Sequence, residues 1–423
     1  MNDEKKYWNP KMETMPLEKM KELQGKRLRE LVALAYEKTN LYRQKFDKAG
    51  IKPSDINGVE DISKLPITDD VKDIRNTPFS DRLTIPLSDL ERLNSTSGIT
   101  TGQPEPIPFN KKDNAILLDS LAQARWTAGV KVNDVIQMLD NYDLSELCYE
   151  KLGSKILLLS AGRYMLDKQI IITKSAGVTV LEHFPSQLDR FIQEAARKGM
   201  ALSDFSIRLI IGVGEPLAQS RRMNLEKLFN APIMSIWETM ELGAAAAECV
   251  ARDGMHLFAQ RLILEVIDPD TGKPLPDGEE GELIATPLLY ETMPLIRFKT
   301  GDIAKMLPYK QCSCGRTLPK ISMIRGRVSQ IMNVNGKMIL PIDIEEAIAD
   351  VDGLAGDYQI ISEGKRETSR LKLKLDYLSE IDDLRSLNNS VDESIKSSLG
   401  IDSEIELVQQ GAFSSTSKAI RFL

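Results

Sequence analysis

Apolar positions recur at helical spacing through residues 17–49, "LEKMKELQGKRLRELVALAYEKTNLYRQKFDKA". The pattern predicts one long or two shorter helices, closed by Gly50 and Pro53. From about 112 to 240 the pattern changes. Short runs rich in β-branched residues ("DVIQML", "SKILLLS", "GVTVLEHF", "SIRLIIGVG", "APIMSIW") are separated by helical stretches such as "DRFIQEAARKG" and "SRRMNLEKLFN". Such alternation predicts a largely parallel sheet with helices packed on it. After about 256, "HLFAQRLILEVIDPDTGKPLPDGEEGELIATPL" reads as two strand arms around a turn-rich loop, hence antiparallel structure. Beyond "MIRGRVSQIMNVNGKMI", the helix "PIDIEEAIADV", a hairpin, another helix and the strand "SEIELVQ" form an α+β module. The expected fold is therefore α/β. Residues 1–327 make a large N-terminal domain with mostly parallel sheets plus a β-rich subdomain. Residues 328–423 make a small C-terminal domain, joined near Arg327–Ser329.

Composition narrows the function without naming it. The chain has 423 residues, enough for two or three domains, and is 42% apolar and 28% charged, as an ordinary globular protein is. Its net charge of −7 offers no basic footprint for nucleic acid. No run of about 18 apolar residues supports a membrane span. The N-terminal "MNDEKKYWNPKMETM" is charged where a secretory signal needs an apolar core. Four cysteines in so long a chain are not a disulfide framework, which points to the reducing cytoplasm.

Three of those cysteines and one of only two histidines lie in close pairs, Cys249-x6-His256 and Cys312-x-Cys314. Soft thiolates with an imidazole are a tetrahedral zinc set, and four protein ligands leave no open position for catalysis. The expectation is a closed structural Zn²⁺ site, with buried free cysteines as the alternative. Cys148 and His183 lack sequence partners and read as packing residues.

The loop "STSGITTGQP" (95–104) carries five hydroxyls and two glycines and no charge. Glycines let a backbone approach an anion, and hydroxyls and N–H groups then donate to phosphate oxygens. A turn-rich link is the other reading. The missing Gly-Lys-Ser/Thr excludes a P-loop. Further stretches follow in order: "GVGEPL" (212–217), "SIWETMELG" (235–243), "LIRFKTGD" (295–302), "IRGRVSQIM" (324–332) and "STSKAIRF" (415–422). This ordered set resembles the adenylate-forming superfamily of acyl-CoA ligases. "ECVARDGMHLF", "CSCGRTLPKI" and "LYRQKFDKAGI…DISKLPIT" are similar to its phenylacetate-CoA ligase branch.

The resemblance implies an enzyme that activates a small carboxylic acid, of aromatic or related type, with ATP and Mg²⁺. It forms an acyl-adenylate, the mixed anhydride of the acid and AMP, with release of pyrophosphate, and then passes the acyl group to coenzyme A. A carrier-protein thiol or amine acceptor, and a non-catalytic nucleotide-binding relative, are the alternatives. By this resemblance Ser97, Gly98, Thr100, Thr101 and Gly102 would cradle the outer phosphates, and Glu241 would hold Mg²⁺. Gly214, Glu215 and Pro216 would lie along the adenine, and Trp237 would pack near the nucleotide. Asp302 would accept the ribose hydroxyls, and Arg327 would assist at the ribose or phosphate. Lys418 would be the catalytic lysine of a mobile C-terminal domain, contacting the acid and the α-phosphate. A homodimer is compatible with the family. The sequence departs from the family pattern at Ile99, inserted in the phosphate loop, and at Gln103 in place of Lys. It departs also at Glu238 in place of Gly, Met240 in place of Ser or Thr, and Ser329 in place of the hinge Asp. The family's Gly at 238 lets the backbone approach the acyl-adenylate.

Overall fold

In a computed structural model, described over residues 5–96, 98, 102–138, 145–157, 166–361 and 367–413, the fold is α/β. The chain divides into two compact units. The first comprises Met1–Asp134, Tyr142–Ile156 and Met234–Met323; the second comprises Val135–Asn141, Leu157–Ile233 and Ile324–Leu423. No helix among the described residues is long and apolar enough to cross a membrane.

In the first unit, the expected N-terminal helical stretch is two helices, Leu17–Lys38 and Asn40–Ala49. Thr39 separates them because its hydroxyl accepts the Tyr42 N–H, capping the second helix, while donating to the Ala35 carbonyl of the first. Leu28, Leu31, Val32, Ala35, Tyr42 and Phe46 form one buried stripe against Leu295, Ile296 and Phe298. The buried Gln24 is satisfied by the carbonyls of Ala259 and Leu262 at 2.8 and 3.0 Å. The turn-rich region after 256 is antiparallel as expected. Strand Leu262–Ile267 pairs with Gly281–Pro287, in register Leu262↔Pro287, and Gly281–Pro287 pairs with Phe298–Ala304. Arg297 enters that last strand with φ of 49°. Its guanidinium grips Glu265 at 2.9 and 3.0 Å and the Leu65 carbonyl at 2.7 Å, fixing the strand that carries Asp302. A second antiparallel ladder runs through Ile233–Thr239, Gly243–Glu248, Met255–Leu257 and Lys320–Ile321. The helix Lys111–Ala128 packs on Gly243–Glu248, whose row of alanines admits it closely.

The second unit holds the parallel strands Val135–Met138, Val180–His183 and Leu209–Gly212, in the register Ile136↔Val180↔Leu209. Helices Pro185–Arg197 and Gln219–Phe229 bury Leu188, Phe191, Leu225 and Phe229 in one core with Leu181 and Ile210. Its C-terminal portion has helices Pro341–Ile348 and Leu384–Leu399 over the antiparallel pair Leu354–Ile360 and Leu371–Tyr377. Strand Ser403–Gln409 joins the latter in parallel, and Tyr358, Leu373, Val391 and Ile395 form the core. Within this unit the Glu346 carboxylate accepts the N–H groups of Gln219 and Ser220, capping the Gln219–Phe229 helix from outside.

Candidate functional site

Of the loop expected to hold phosphate, Ser97, Thr100 and Thr101, with Ile99, lie outside the described residues, as does Lys418. What is described is the frame. Strands Arg92–Ser95 and Pro106–Phe109 form a hairpin. Thr96 and Glu105 close its mouth by two hydrogen bonds of 2.9 Å, Thr96 N–H to the Glu105 carbonyl and Glu105 N–H to the Thr96 hydroxyl. Inside it, Gly102 N–H donates to the Gly98 carbonyl at 2.7 Å. Arg75 donates to the Gln103 carbonyl at 2.9 Å, so a guanidinium braces the position where the family pattern has lysine.

Two motif residues 65 apart meet in the first unit. The Trp237 indole N–H donates to Asp302 Oδ2 at 2.9 Å, and both side chains are buried. An indole can only donate, so it orients a carboxylate without competing for whatever the second oxygen accepts. Glu241 follows in the turn between Ile233–Thr239 and Gly243–Glu248, where it is half-buried. Gly243 seats this turn on the Lys111–Ala128 helix. It has φ of 66°, and a Cβ there would lie 2.7 Å from both Ser120 Oγ and Tyr290 Oη.

Glu238, which stands in place of the family's Gly, has a partner that sequence reasoning missed. Arg125, on the Lys111–Ala128 helix, donates Nη1 to Glu238 Oε2 at 2.6 Å and Nη2 to Oε1 at 3.2 Å. Its guanidinium lies 5.9 Å from the Tyr149 ring. The available signal was a charged residue at helical spacing from the apolar Leu121, Ala122 and Ala128.

Gly214, Glu215, Pro216 and Arg327 belong to the second unit. The first three leave strand Leu209–Gly212 at its carboxyl end, where parallel sheets bind ligands. Gly214 has φ of 73°, and a Cβ there would lie 2.4 Å from the Phe184 ring, so only glycine keeps this turn. The Glu215 carboxylate accepts the Ser186 N–H at 3.0 Å and its hydroxyl at 2.9 Å, at the positive end of helix Pro185–Arg197. It thus braces the turn. Arg327 is half-buried and leads into the short helical turn Val328–Gln330, with Ser329 exposed.

At the neighbouring strand end, His183 is buried and its Nδ1 has no hydrogen-bond partner among the described residues. Burial, aided by the charge of Arg190, pulls its pKa down from 6.5 to about 3. The unfolded chain therefore binds a proton below pH 6.5 that the folded chain refuses, so this residue costs stability as pH falls toward 3. The slope is about 1.4 kcal/mol per pH unit. Urea unfolding at pH 6.5 and pH 5 is expected to show the parent losing about 2 kcal/mol more than His183→Gln. Equal losses would contradict it.

Cys249, His256, Cys312 and Cys314 converge as expected, with their four ligand atoms within 4.8 Å of one another and all four residues buried. The convergence follows from pairing. Cys249 and His256 flank one hairpin, and Lys320, just past the Cys312–Cys314 turn, pairs directly with His256. Cys249 Sγ and Cys312 Sγ are 3.7 Å apart, and Cys314 Sγ is 3.3 Å from His256 Nε2. Tetrahedral zinc requires S···S of about 3.8 Å and S···N of about 3.5 Å. His256 Nδ1 faces the Leu318 carbonyl at 3.4 Å, which leaves the Nε2 lone pair inward. The Cys314 thiol is held well below its ordinary value by hydrogen bonding from Cys249, then His256 and the Arg316 guanidinium. Arg316 is itself held by buried Glu13 at 2.7 Å. The donor set, spacing and outer contacts all fit a closed zinc site.

Known proteins agree with the motif order. Residues 336–423 match the model of the AMP-binding enzyme C-terminal domain family. The chain is 28% identical to the phenylacetate-coenzyme A ligase of Thermus thermophilus over 432 residues, covering 96% of each. It is also 28% identical to the Escherichia coli K12 phenylacetate-coenzyme A ligase, covering 95% of this chain and 93% of that one. A solved 2-hydroxyisobutyryl-CoA ligase, in the postadenylation state with R3-HIB-AMP, shares the fold at a TM-score of 0.91 and 22% identity. That match covers 100% of this chain and 93% of the other. Over nearly its whole length this chain is similar to phenylacetate-coenzyme A ligases, and it ends in the C-terminal domain of AMP-binding enzymes.

Proposed function

We propose that the protein is an AMP-forming acid–CoA ligase. It activates a small carboxylic acid with ATP to an acyl-adenylate, releases pyrophosphate, and transfers the acyl group to the thiol of coenzyme A. The observation that carries this reading is the end-to-end match to curated phenylacetate-coenzyme A ligases. Bringing a carboxylate to a triphosphate sets two anions against each other, so the site must first supply compensating charge and directed donors.

Asp302, oriented by Trp237, accepts the ribose hydroxyls. Gly98 and Gly102, with Ser97, Thr100 and Thr101, hold the outer phosphates. Gly214, Glu215 and Pro216 form the adenine-side turn, and Arg327 assists at the ribose or phosphate. Glu241 provides a hard oxygen ligand for Mg²⁺, a cation that is commonly held by one carboxylate plus substrate phosphates. When bound, that ion offsets phosphate charge. Cys249, His256, Cys312 and Cys314 hold zinc in a purely structural role. Residues 328–423 move as a small domain about the Arg327–Ser329 joint, and Lys418 acts in the adenylation step. The test is incubation with ATP, Mg²⁺ and a panel of acids, reading pyrophosphate release and the acyl-adenylate by mass, then adding coenzyme A. A thioester is expected. An acyl-adenylate that coenzyme A does not consume would move the acceptor to another nucleophile, and no adenylate with any acid would defeat the ligase reading.

A further inference from the structure

We propose that the Arg125–Glu238 pair makes this enzyme select carboxylic acids bearing a hydroxyl or amino group over hydrocarbon acids such as phenylacetate. This deepens, and rests on, the ligase reading above. Three observations carry it.

The first is position. Trp237 and Glu238 are consecutive on strand Ile233–Thr239, where its register against Gly243–Glu248 shifts, and their side chains take different partners. Trp237 turns to Asp302, and Glu238 turns to the Lys111–Ala128 helix. Three residues later comes Glu241. Along the chain Glu238 thus falls between Trp237, which holds the candidate ribose carboxylate, and Glu241, the candidate metal carboxylate, and on the ligase reading the acid meets the α-phosphate between those two groups.

The second is asymmetry of exposure. The Arg125 side chain is 0% exposed and that of Glu238 is 22% exposed. Whatever lies against this pair therefore meets the carboxylate and never the guanidinium. Each carboxylate oxygen accepts one Arg125 N–H and keeps lone-pair capacity beyond it. The accessible surface is acceptor-only and complements a hydroxyl or an amine. A methylene or aryl edge placed there would cover an acceptor without satisfying it.

The third is that stability is a poor reason for such a pair. Replacing a buried ion pair with apolar side chains of similar volume is often neutral or stabilising. Arg125 also holds the Glu238 carboxylate in one orientation by its two-pronged contact, which is what a selective acceptor needs. Arg125 is thus a positioning residue, and Glu238 is the group that touches the acid.

The experiment compares kcat/KM for pyrophosphate release within matched acid pairs: phenylacetate against 4-hydroxyphenylacetate, 4-aminophenylacetate and mandelate, and isobutyrate against 2-hydroxyisobutyrate. The parent enzyme is expected to favour a donor-bearing member by roughly 10- to 100-fold, below the ceiling of fully enclosed polar sites because Glu238 is partly exposed. Glu238→Gly alone would strand the buried Arg125 charge, so the main variant is Arg125→Met with Glu238→Gly, in which the ratio should fall to near one. Glu238→Gln keeps the size and one acceptor and should give an intermediate ratio, which keeps the test intact if the double variant does not fold. A parent enzyme that uses hydrocarbon members equally well, or a ratio unchanged in either variant, overturns the inference and leaves the ligase reading standing. Absence of turnover with every acid removes the ligase reading, and this inference with it.

Discussion

Cys314→Ser protein is expected to carry far less than one zinc per chain and to melt about 10 °C or more below the parent. The expectation follows from how the four ligands are brought together. Cys249 and His256 bracket one hairpin, Cys312 and Cys314 lie in a separate turn, and the N-terminal segment is tied to that turn by Arg316–Glu13 and by Tyr7 to the Cys314 carbonyl. Metal binding free energy at a closed site is folding free energy, on the order of 10 kcal/mol for structural zinc. Part of it is shared with the surrounding ladder, so several kcal/mol should be lost when one thiolate is removed. At about 2–4 °C per kcal/mol for chains of some 150–250 residues, that gives the stated shift. The control is Cys148→Ala. Cys148 is equally buried but lies outside the cluster, so its variant should keep its zinc and lose only packing. Metal analysis of the parent that finds no zinc, or a Cys314→Ser melt matching that of Cys148→Ala, would return the quartet to the reading of buried free cysteines.

Much of the fold was legible because its signals are local. Each run of β-branched residues between 134 and 237 coincides with a strand, since such a run is too short and too apolar to be anything else between turn signals. The Cys/His quartet was legible for a different reason: with two histidines and four cysteines in the whole chain, few combinations exist. What could not be read are pairings set by tertiary packing. Arg125 and Glu238 are 113 positions apart, and they meet only because a row of alanines lets the Lys111–Ala128 helix settle on Gly243–Glu248. Glu215 sits in the turn expected along the adenine, and its carboxylate accepts from Ser186, because a helix N-terminus 29 residues earlier folds back beside it. Arg297 likewise looks like part of a nucleotide motif and proves to be the clamp that shapes the strand bearing Asp302. In each case residue type marked a place as special, and only packing decided what the side chain does there.

Lys418→Ala is expected to lower the adenylation rate about 10²- to 10³-fold while leaving zinc content and the melting temperature unchanged. The separation of effects is what gives this substitution its force. A lysine on a surface, one of 55 basic residues in the chain, usually changes stability by less than about 0.5 kcal/mol when cut to alanine, and should not touch turnover. A lysine that offsets the charge of a carboxylate attacking a phosphoryl group acts where charge builds up between them. Its loss should therefore appear in kcat for pyrophosphate release more than in KM for ATP, whose ribose and outer phosphates the proposed function assigns to other groups. Lys418→Arg keeps the charge but changes a compact ammonium into a planar fork, so it should recover only part of the rate. A second reading separates this residue from the rest of the site. If Lys418 serves adenylation alone, enzyme given preformed acyl-adenylate and coenzyme A should make thioester at nearly the parental rate in the alanine variant. Equal loss in both half-reactions would instead mean that the C-terminal tail orders the whole site, and an unchanged adenylation rate would remove Lys418 from the chemistry altogether.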